Sequence, residues 1–346
     1  MWRLESECRC KILFMKIAIV KLSALGDIIH AMVVLQFIKN HYQKIEVDWI
    51  VEESYKELLE FHPDINKVHV VNIKKAKKKK SLYLLLNELR RVRKFGPYDL
   101  VIDLQGLIKS ALITRMISAD KTFGFDKYSA RESLAANFYN QTFNFDYDKN
   151  IVERNIALIS FALKIPIIEE NIQKKIPFLF SNRTYFFKTL SSFKKNILLI
   201  PGASFKSKCY PVEKFAEVAT EIDANFLIIW GNQKEKIMAD KIKVLSPKVI
   251  ICEKLSLDAL ISLISQVDLV LGPDTGPTHM AWALNKSSIT LFGSTPGHRN
   301  SYITKNNRII ESNSEVNPYK IDKNDYSIED IDVQEIVKVY EDLLKQ

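Results

Sequence analysis

Residues 16–27, KIAIVKLSALGD, decide the fold of this chain. The apolar run over 16–22 predicts a strand buried on both faces, and the spacing of apolar residues over 28–40 predicts a helix after it. Further strands are predicted at 47–51, 68–71 and 99–104, and helices at 54–61 and 82–94. This alternation is typical of a parallel sheet covered by helices on both faces.

The same alternation begins again after an interruption at 164–195, where Pro166 and Pro177 occur with little periodicity. Beyond it we predict strands at 196–200, 226–230, 249–251, 268–271 and 288–292, and helices at 212–222, 235–245, 257–266, 278–284 and 333–344. The predicted fold class is α/β, with two Rossmann-like, doubly wound parallel-sheet lobes and a cleft between them. The predicted boundaries are 1–14 for an N-terminal extension, 15–180 for the first lobe and 181–346 for the second lobe with its C-terminal helix.

The composition excludes several classes of protein. The chain has 346 residues, of which 47% are hydrophobic and 26% charged, so wholesale disorder is excluded and two domains are expected. Since no run of about 18 apolar residues occurs, we expect no membrane-spanning helix. The four cysteines and the acidic start of the chain indicate a reducing, cytoplasmic compartment instead of a secretory route.

The positive charge is concentrated in one segment. The net charge is +9, yet residues 66–94 alone carry eleven basic residues and one acid, and the rest of the chain sums to −1. A local field of this kind predicts an anionic partner bound at one place. Two alternatives are a solvated loop at 77–80 and a non-catalytic anion- or nucleic-acid-binding protein. The second leaves the motifs below unexplained, and the sequence contains no recognised nucleic-acid-binding module.

Ligands of open α/β sheets bind beyond the carboxyl ends of the strands, and in the first lobe Gly26 and Asp27 follow such an end. Asp27 suits two roles there. It can cap the following helix, or it can accept a proton from a substrate hydroxyl.

The second lobe has candidate residues at three strand ends. The turn at 272–277 leads into a helix and suits a phosphate, although it also fits a plain tight turn. Ser204 and Lys208 follow another strand, where a lysine can bind phosphate or remain solvated. Glu235 follows a third strand and can accept ribose hydroxyls or serve as an ordinary acid of a first helical turn.

Four motifs together resemble the lipopolysaccharide heptosyltransferases. Residues 21–30, KLSALGDIIH, are similar to the opening motif of that family, and 274–279, DTGPTH, to its nucleotide-site motif. The segments 103–110, DLQGLIKS, and 130–135, ARESLA, resemble segments particular to its type I branch. The resemblance covers about residues 15–345 and argues against types II and III, which use the same donor on other acceptors.

The resemblance implies a GT-B fold and an inverting transfer of L-glycero-D-manno-heptose from ADP-heptose to the first Kdo of Kdo2-lipid A. It also implies that no cofactor or metal is needed and that the enzyme works in the cytoplasm of a Gram-negative bacterium. There it would contact the anionic surface of the inner membrane peripherally. ADP-heptose and Kdo2-lipid A are thus the expected partners, and nucleic acid is not.

The resemblance also assigns roles to residues. Asp27 is the expected general base, Lys208 and Thr275 the diphosphate ligands, and Glu235 the ribose contact. The expected nucleotide-sugar site comprises Ser204, Lys208, Glu235, Asp274, Thr275, Gly276 and His279. The expected acceptor side comprises Gly26, Lys77, Lys78, Lys79, Lys80, Arg90, Arg91 and Arg131.

Overall fold

The computed structural model describes residues 15–345, apart from the side chain of Lys77. The predicted N-terminal extension at 1–14 therefore lies outside the described residues. The strands of the first sheet are β1 (Lys16–Val20), β2 (Glu46–Glu52), β3 (Lys67–Val71), β4 (Tyr98–Asp103), β5 (Ala119–Phe125) and β6 (Gln141–Phe143). They are all parallel and lie in the order β3-β2-β1-β4-β5-β6.

The helices that accompany the first sheet begin with α1 (Leu25–Met32), α2 (Val34–His41), α3 (Lys56–Leu59) and α4 (Ile73–Lys78). They continue with α5 (Leu82–Val92), α6 (Ile108–Met116), α7 (Ile151–Leu163) and α8 (Glu169–Gln173). Short 3₁₀ segments cover Glu53–Tyr55 and Ser133–Phe138. Among residues 15–345 no helix has the length and apolar character needed to cross a membrane.

The second sheet is also parallel. Its strands are β7 (Asn196–Leu199), β8 (Asn225–Ile228), β9 (Ile250–Ile251), β10 (Leu269–Pro273), β11 (Ser287–Phe292) and β12 (Asn307–Glu311), in the order β12-β11-β10-β7-β8-β9. Its helices are α9 (Val212–Glu221), α10 (Gln233–Leu245), α11 (Leu257–Gln266), α12 (Gly276–Ala283), α13 (Gly297–Asn300) and α14 (Val333–Leu344), with 3₁₀ turns at Lys206–Lys208 and Ser327–Asp330.

The strand order places the sites. In the first sheet the direction of winding reverses between β1 and β4, and in the second between β10 and β7. A crevice for ligands opens at such a switch point, outside the carboxyl ends of the two central strands. The loop after β7, which ends at Leu199, and the loop after β10, which ends at Pro273, therefore meet at one edge.

Alternate residues of the central strands face different cores, because successive side chains of a strand point to opposite faces of the sheet. In β1, Ala18 and Val20 belong to a core confined to the first lobe, whereas Ile17 and Ile19 belong to a larger one. That larger core continues into the second lobe, where it includes Leu198 of β7, and we call it the shared core.

The two lobes meet most closely where α1 packs against α12. A β-carbon at Gly276 would clash with the side chain of Leu25, and one at Gly26 would lie 2.7 Å from Cδ2 of His279. Each helix thus has a glycine in its first turn whose missing side chain admits a side chain of the other lobe. Gly26 and Gly276 are needed at these positions for close approach of the helices.

All the predicted strands are present, with ends that differ by at most two residues. The helix predicted over 28–40 is divided into α1 and α2, with Val33 between them in right-handed helical backbone. The sequence did not reveal β5, β6 or β12, because they are short or carry charged residues such as Asp120 and Arg308. The predicted lobe boundary at 180 falls between α8 and β7 and stays a prediction.

Candidate active site

The loop between β1 and α1 is held by the loop after β4. The side chain of Gln105 accepts hydrogen bonds from the backbone N–H groups of Leu22 at 2.9 Å and Ser23 at 3.1 Å. Lys21 is buried, and its Nζ donates to the carbonyl of Leu104 at 2.7 Å. The two central strands of the first lobe therefore present one rigid edge.

Asp27 is the third residue of α1 and is partly exposed. Its Oδ2 accepts a hydrogen bond from the backbone N–H of Ala24 at 3.0 Å, which is the helix-capping role that the sequence allowed. Oδ1 receives no hydrogen bond from any residue in 15–345, so one carboxylate oxygen stays available. Capping and proton acceptance are therefore compatible, because they use different oxygens.

A second carboxylate of the first lobe, Asp103, was not singled out by the sequence analysis as a functional residue. It is fully buried at the end of β4 and accepts hydrogen bonds from the Tyr139 hydroxyl at 2.7 Å and the Gln105 N–H at 2.7 Å. Burial raises its pKa. Burial lowers the pKa of Lys21, and the negative charges of Asp27 and Asp103 oppose this shift without cancelling it.

The second lobe has its own carboxylate at the corresponding place. Asp274 follows β10 directly and is buried. Its Oδ2 accepts from Nζ of Lys208 at 2.7 Å, and its Oδ1 lies 2.9 Å from Nε2 of His279. The Thr295 hydroxyl at 3.0 Å and the Asn300 amide at 3.2 Å complete its partners. The predicted residues Lys208, Asp274 and His279 thus form one cluster.

The charge of Asp274 is strongly favoured. Burial by itself raises the pKa of this carboxyl, but Lys208 and His279 outweigh it and hold the pKa well below the usual range. Asp274 is therefore ionised at neutral pH and is a poor proton acceptor. Its chemical use is to fix the positions of Lys208 and His279.

The start of α12 provides a further binding element. Thr275 is its N-terminal capping residue and Gly276 and Pro277 follow, so the first turn has backbone N–H groups free of helical partners. The Thr278 hydroxyl donates to the Thr275 carbonyl at 2.6 Å, and the Thr275 side chain is half-buried. This end of the helix suits an anionic group.

Glu235 lies beside the loop after β7. Its carboxylate accepts hydrogen bonds from the Gly231 N–H at 2.6 Å and the Asn232 side chain at 2.6 Å. It also packs so closely on Gly202 that a β-carbon there would clash. Ser204 is exposed two residues farther on. The structure therefore brings Glu235 and Ser204 to the same edge as Lys208.

The predicted acceptor residues are more dispersed. Four of them are exposed on α4, on α5 or in the turn between these helices: Lys78, Lys79, Lys80 and Arg90. Arg91 is also exposed, but its guanidinium is paired with Glu88. Arg131 is exposed in a loop joined to the end of β4, because the neighbouring Glu132 accepts from the Ile108 N–H at 2.7 Å. Arg131 thus belongs to the same loop edge as Asp27, whereas the lysines lie on α4 and in the turn after it.

Two parallel six-stranded sheets, each with a switch point between its central strands, form the two-lobed GT-B fold. Solved structures agree. "E. coli heptosyltransferase WaaC with ADP" superposes with a TM-score of 0.77 at 23% identity, over 95% of this chain and all (100%) of that one. "E. coli ADP-heptose lps heptosyltransferase II" superposes with a TM-score of 0.69 at 21% identity, over 96% of this chain and 99% of that one.

Sequence comparison defines the family. Residues 85–327 match the model of glycosyltransferase family 9 (heptosyltransferase), and the chain belongs to that family. Lipopolysaccharide heptosyltransferase 1 of Campylobacter coli is 40% identical over 95% of this chain and 99% of its own length. The protein of the same name from Pseudomonas aeruginosa is 30% identical over 83% of this chain and 81% of its own length. The prediction of a glycosyltransferase is confirmed.

Proposed function

We propose that this enzyme transfers L-glycero-D-manno-heptose from ADP-heptose to the first Kdo of Kdo2-lipid A. The names of its relatives support heptosyl transfer to lipopolysaccharide. The observation on which the chemistry depends is that α1, with Asp27 in its first turn, packs against α12, whose N-terminus follows Asp274 and Thr275. A proton acceptor and an anion site therefore face one cleft from opposite lobes.

In the proposed reaction, Oδ1 of Asp27 removes the proton from the attacking Kdo hydroxyl. The oxygen forms a bond to the anomeric carbon of heptose on the face opposite the diphosphate, and the bond between that carbon and the ADP oxygen breaks. The anomeric configuration is inverted, and ADP leaves with its negative charge. No metal is required in this scheme, because Lys208 and the N-terminus of α12 meet the charge of the leaving group.

Lys208 can serve this role although it is paired with Asp274. An ammonium group has three donors, and one of them binds Asp274 at 2.7 Å. The other two remain for phosphate oxygens, while Asp274 keeps the side chain in place. Thr275 and Gly276 would bind the same diphosphate. Glu235 and Ser204 would contact the ribose of ADP. His279 and Asp274 would lie beside the heptose.

The surface of α4 and α5 suits an anionic membrane. Besides the exposed lysines it presents apolar side chains, since Leu82 is 68% and Tyr83 71% exposed. Basic residues attract anionic lipid, and exposed apolar residues add binding at the interface. We propose that this surface brings the enzyme to the cytoplasmic face of the inner membrane, where Arg131 and Arg90 contact the acceptor.

Incubation with ADP-heptose and Kdo2-lipid A, followed by mass spectrometry of the lipid, tests the proposal. We expect the mass of one heptose to be added to Kdo2-lipid A. Lipid that already carries its first heptose is the matched acceptor. If only that lipid were extended, the enzyme would act as type II or III and the proposed acceptor would be wrong.

A further inference from the structure

The ring of His279 lies in a slot whose sides come from both lobes. Its own lobe supplies Asp274, 2.9 Å from Nε2. The first lobe supplies the backbone at Gly26, where a β-carbon would lie 2.7 Å from Cδ2 of His279. His279 is 5% exposed, so little of the slot is open to solvent.

His30 forms another side of the slot. It lies one turn after Asp27 on α1, and three-residue spacing places the two residues on the same side of the helix. Its ring meets that of His279 edge to face, with centroids 4.3 Å apart, and that of Trp282 at 5.7 Å. Burial and then the neighbouring His279 hold the pKa of His30 well below its usual range, so it is a neutral ring at this contact.

These contacts join the two halves of the proposed site. Asp274 connects His279 to Lys208, and α1 connects His30 to Asp27. Displacement of the His279 ring would therefore change the position of the donor-side cluster relative to the base. Misalignment of this kind lowers turnover, because transfer requires the attacking and leaving groups to be held in line.

We propose that His30 is a positioning residue, which acts through His279 and, together with Gly26, aligns the donor site with Asp27 when the lobes are in contact. The inference rests on the proposed function, because it concerns the rate of that transfer. His30 itself takes no proton and touches no substrate in this scheme. Its contribution is the shape of its ring.

The test compares His30→Ala, His30→Phe and Gly26→Ala, with His62→Ala as the matched control. His62 is another buried histidine of the first lobe, packed edge to face on Phe180 at 5.0 Å and without a contact to His279. For each variant kcat and both KM values are measured, ADP affinity is measured by calorimetry, and the thermal midpoint reports folding.

We expect His30→Ala to lower kcat by about 10- to 100-fold with little change in acceptor KM. His30→Phe should recover most of this loss, Gly26→Ala should resemble His30→Ala, and His62→Ala should lose stability while keeping its kcat. Full kcat in His30→Ala, or a loss that phenylalanine does not repair, would overturn the inference.

If His30→Ala does not fold, full activity of Gly26→Ala would likewise overturn it. Failure of the proposed function is recognised separately, because the wild-type enzyme would then transfer no heptose to Kdo2-lipid A.

Discussion

Asp27 and Asp274 occupy similar places in the two lobes but have opposite surroundings. Each follows a central strand at a switch point and lies at the start of a helix, α1 or α12. Asp27 is partly exposed and accepts one backbone hydrogen bond. Asp274 is buried and accepts hydrogen bonds from side chains, including a lysine and a histidine.

The difference shows that topology determines where a carboxylate lies and its hydrogen-bond partners determine what it can do. A carboxylate surrounded by donors keeps its charge and binds a proton weakly, so Asp274 suits the organisation of an anion site. A carboxylate with a free oxygen at a cleft can accept a proton, so Asp27 suits catalysis. Substitutions at the two places should therefore have different effects.

The largest effect is expected for Asp27→Asn. The amide keeps the shape of the side chain but cannot accept the proton, so kcat should fall by about 10²- to 10⁴-fold while ADP affinity stays unchanged. Steady-state kinetics and calorimetry measure the two quantities. Asp99→Asn, at the opposite edge of the sheet, should keep wild-type kcat. Wild-type turnover of Asp27→Asn would remove the proposed distinction between the two aspartates.

The second effect concerns stability. Asp274→Asn leaves Lys208 buried without its counter-charge, which should lower the free energy of unfolding by about 3–5 kcal/mol in urea titrations. The exposed pair of Lys194 and Asp223 provides the control, since Asp223→Asn should hardly move the urea midpoint. Equal loss in both variants would contradict a special role for the buried pair.

The same pair makes stability depend on pH. Because the pKa of Asp274 is lower in the folded state, its contribution is complete above the ordinary aspartate value of 3.8 and is lost as the pH falls toward the folded value. The free energy of unfolding of Asp274→Asn should therefore fall less on acidification than that of the wild-type protein. Urea titrations of the wild-type and variant proteins as the pH is lowered from about 5 to about 2 measure this.

The third effect concerns the donor alone. Lys208→Ala should weaken ADP binding by about 1.5–3 kcal/mol, the value of a charged hydrogen bond, and Thr275→Ala by less. Lys206→Ala removes an exposed lysine of the same turn and is the matched control in calorimetry. If neither Lys208→Ala nor Thr275→Ala changed the affinity, the nucleotide would bind elsewhere.

A smaller effect is expected at the basic surface. Changing Lys77–Lys80 to glutamine should raise the acceptor KM about tenfold and weaken binding to anionic vesicles, because each lysine near such a surface contributes at most about 1 kcal/mol. ADP affinity should stay constant, and added salt should affect the variant less than the wild type. The control replaces four exposed lysines of the second lobe, Lys188, Lys241, Lys320 and Lys338.

Chelation of metal should have no effect. Residues 15–345 contain no group of three or more histidine, cysteine or acidic side chains suited to hold a metal ion. Because Lys208 and the N-terminus of α12 meet the charge of the leaving diphosphate in the proposed scheme, we expect wild-type kcat in the presence of EDTA. Loss of activity that returns with Mg²⁺ would indicate a metal bound with the diphosphate.

The sequence located the candidate site residues at strand ends but did not predict how these residues pair. The Gly26-Asp27 and 272–277 motifs were visible because glycine, proline and polar residues directly follow apolar strands. The bond between Lys208 and Asp274 joins residues 66 positions apart and depends on the adjacency of β7 and β10. Gly26 and His279 face each other because the two lobes are in contact. No local sequence pattern predicts such a contact.

The shared core limits the modularity of this enzyme. Ile19 of β1 and Leu198 of β7 belong to the same buried cluster, and α1 and α12 complete it. A chimera that joins one lobe to the second lobe of a distant relative would combine two apolar surfaces that are not complementary in shape. Mismatched cores lose packing contacts and form cavities. Successful exchange of donor lobes among relatives would therefore require the apolar residues of α1 and α12 to be exchanged together.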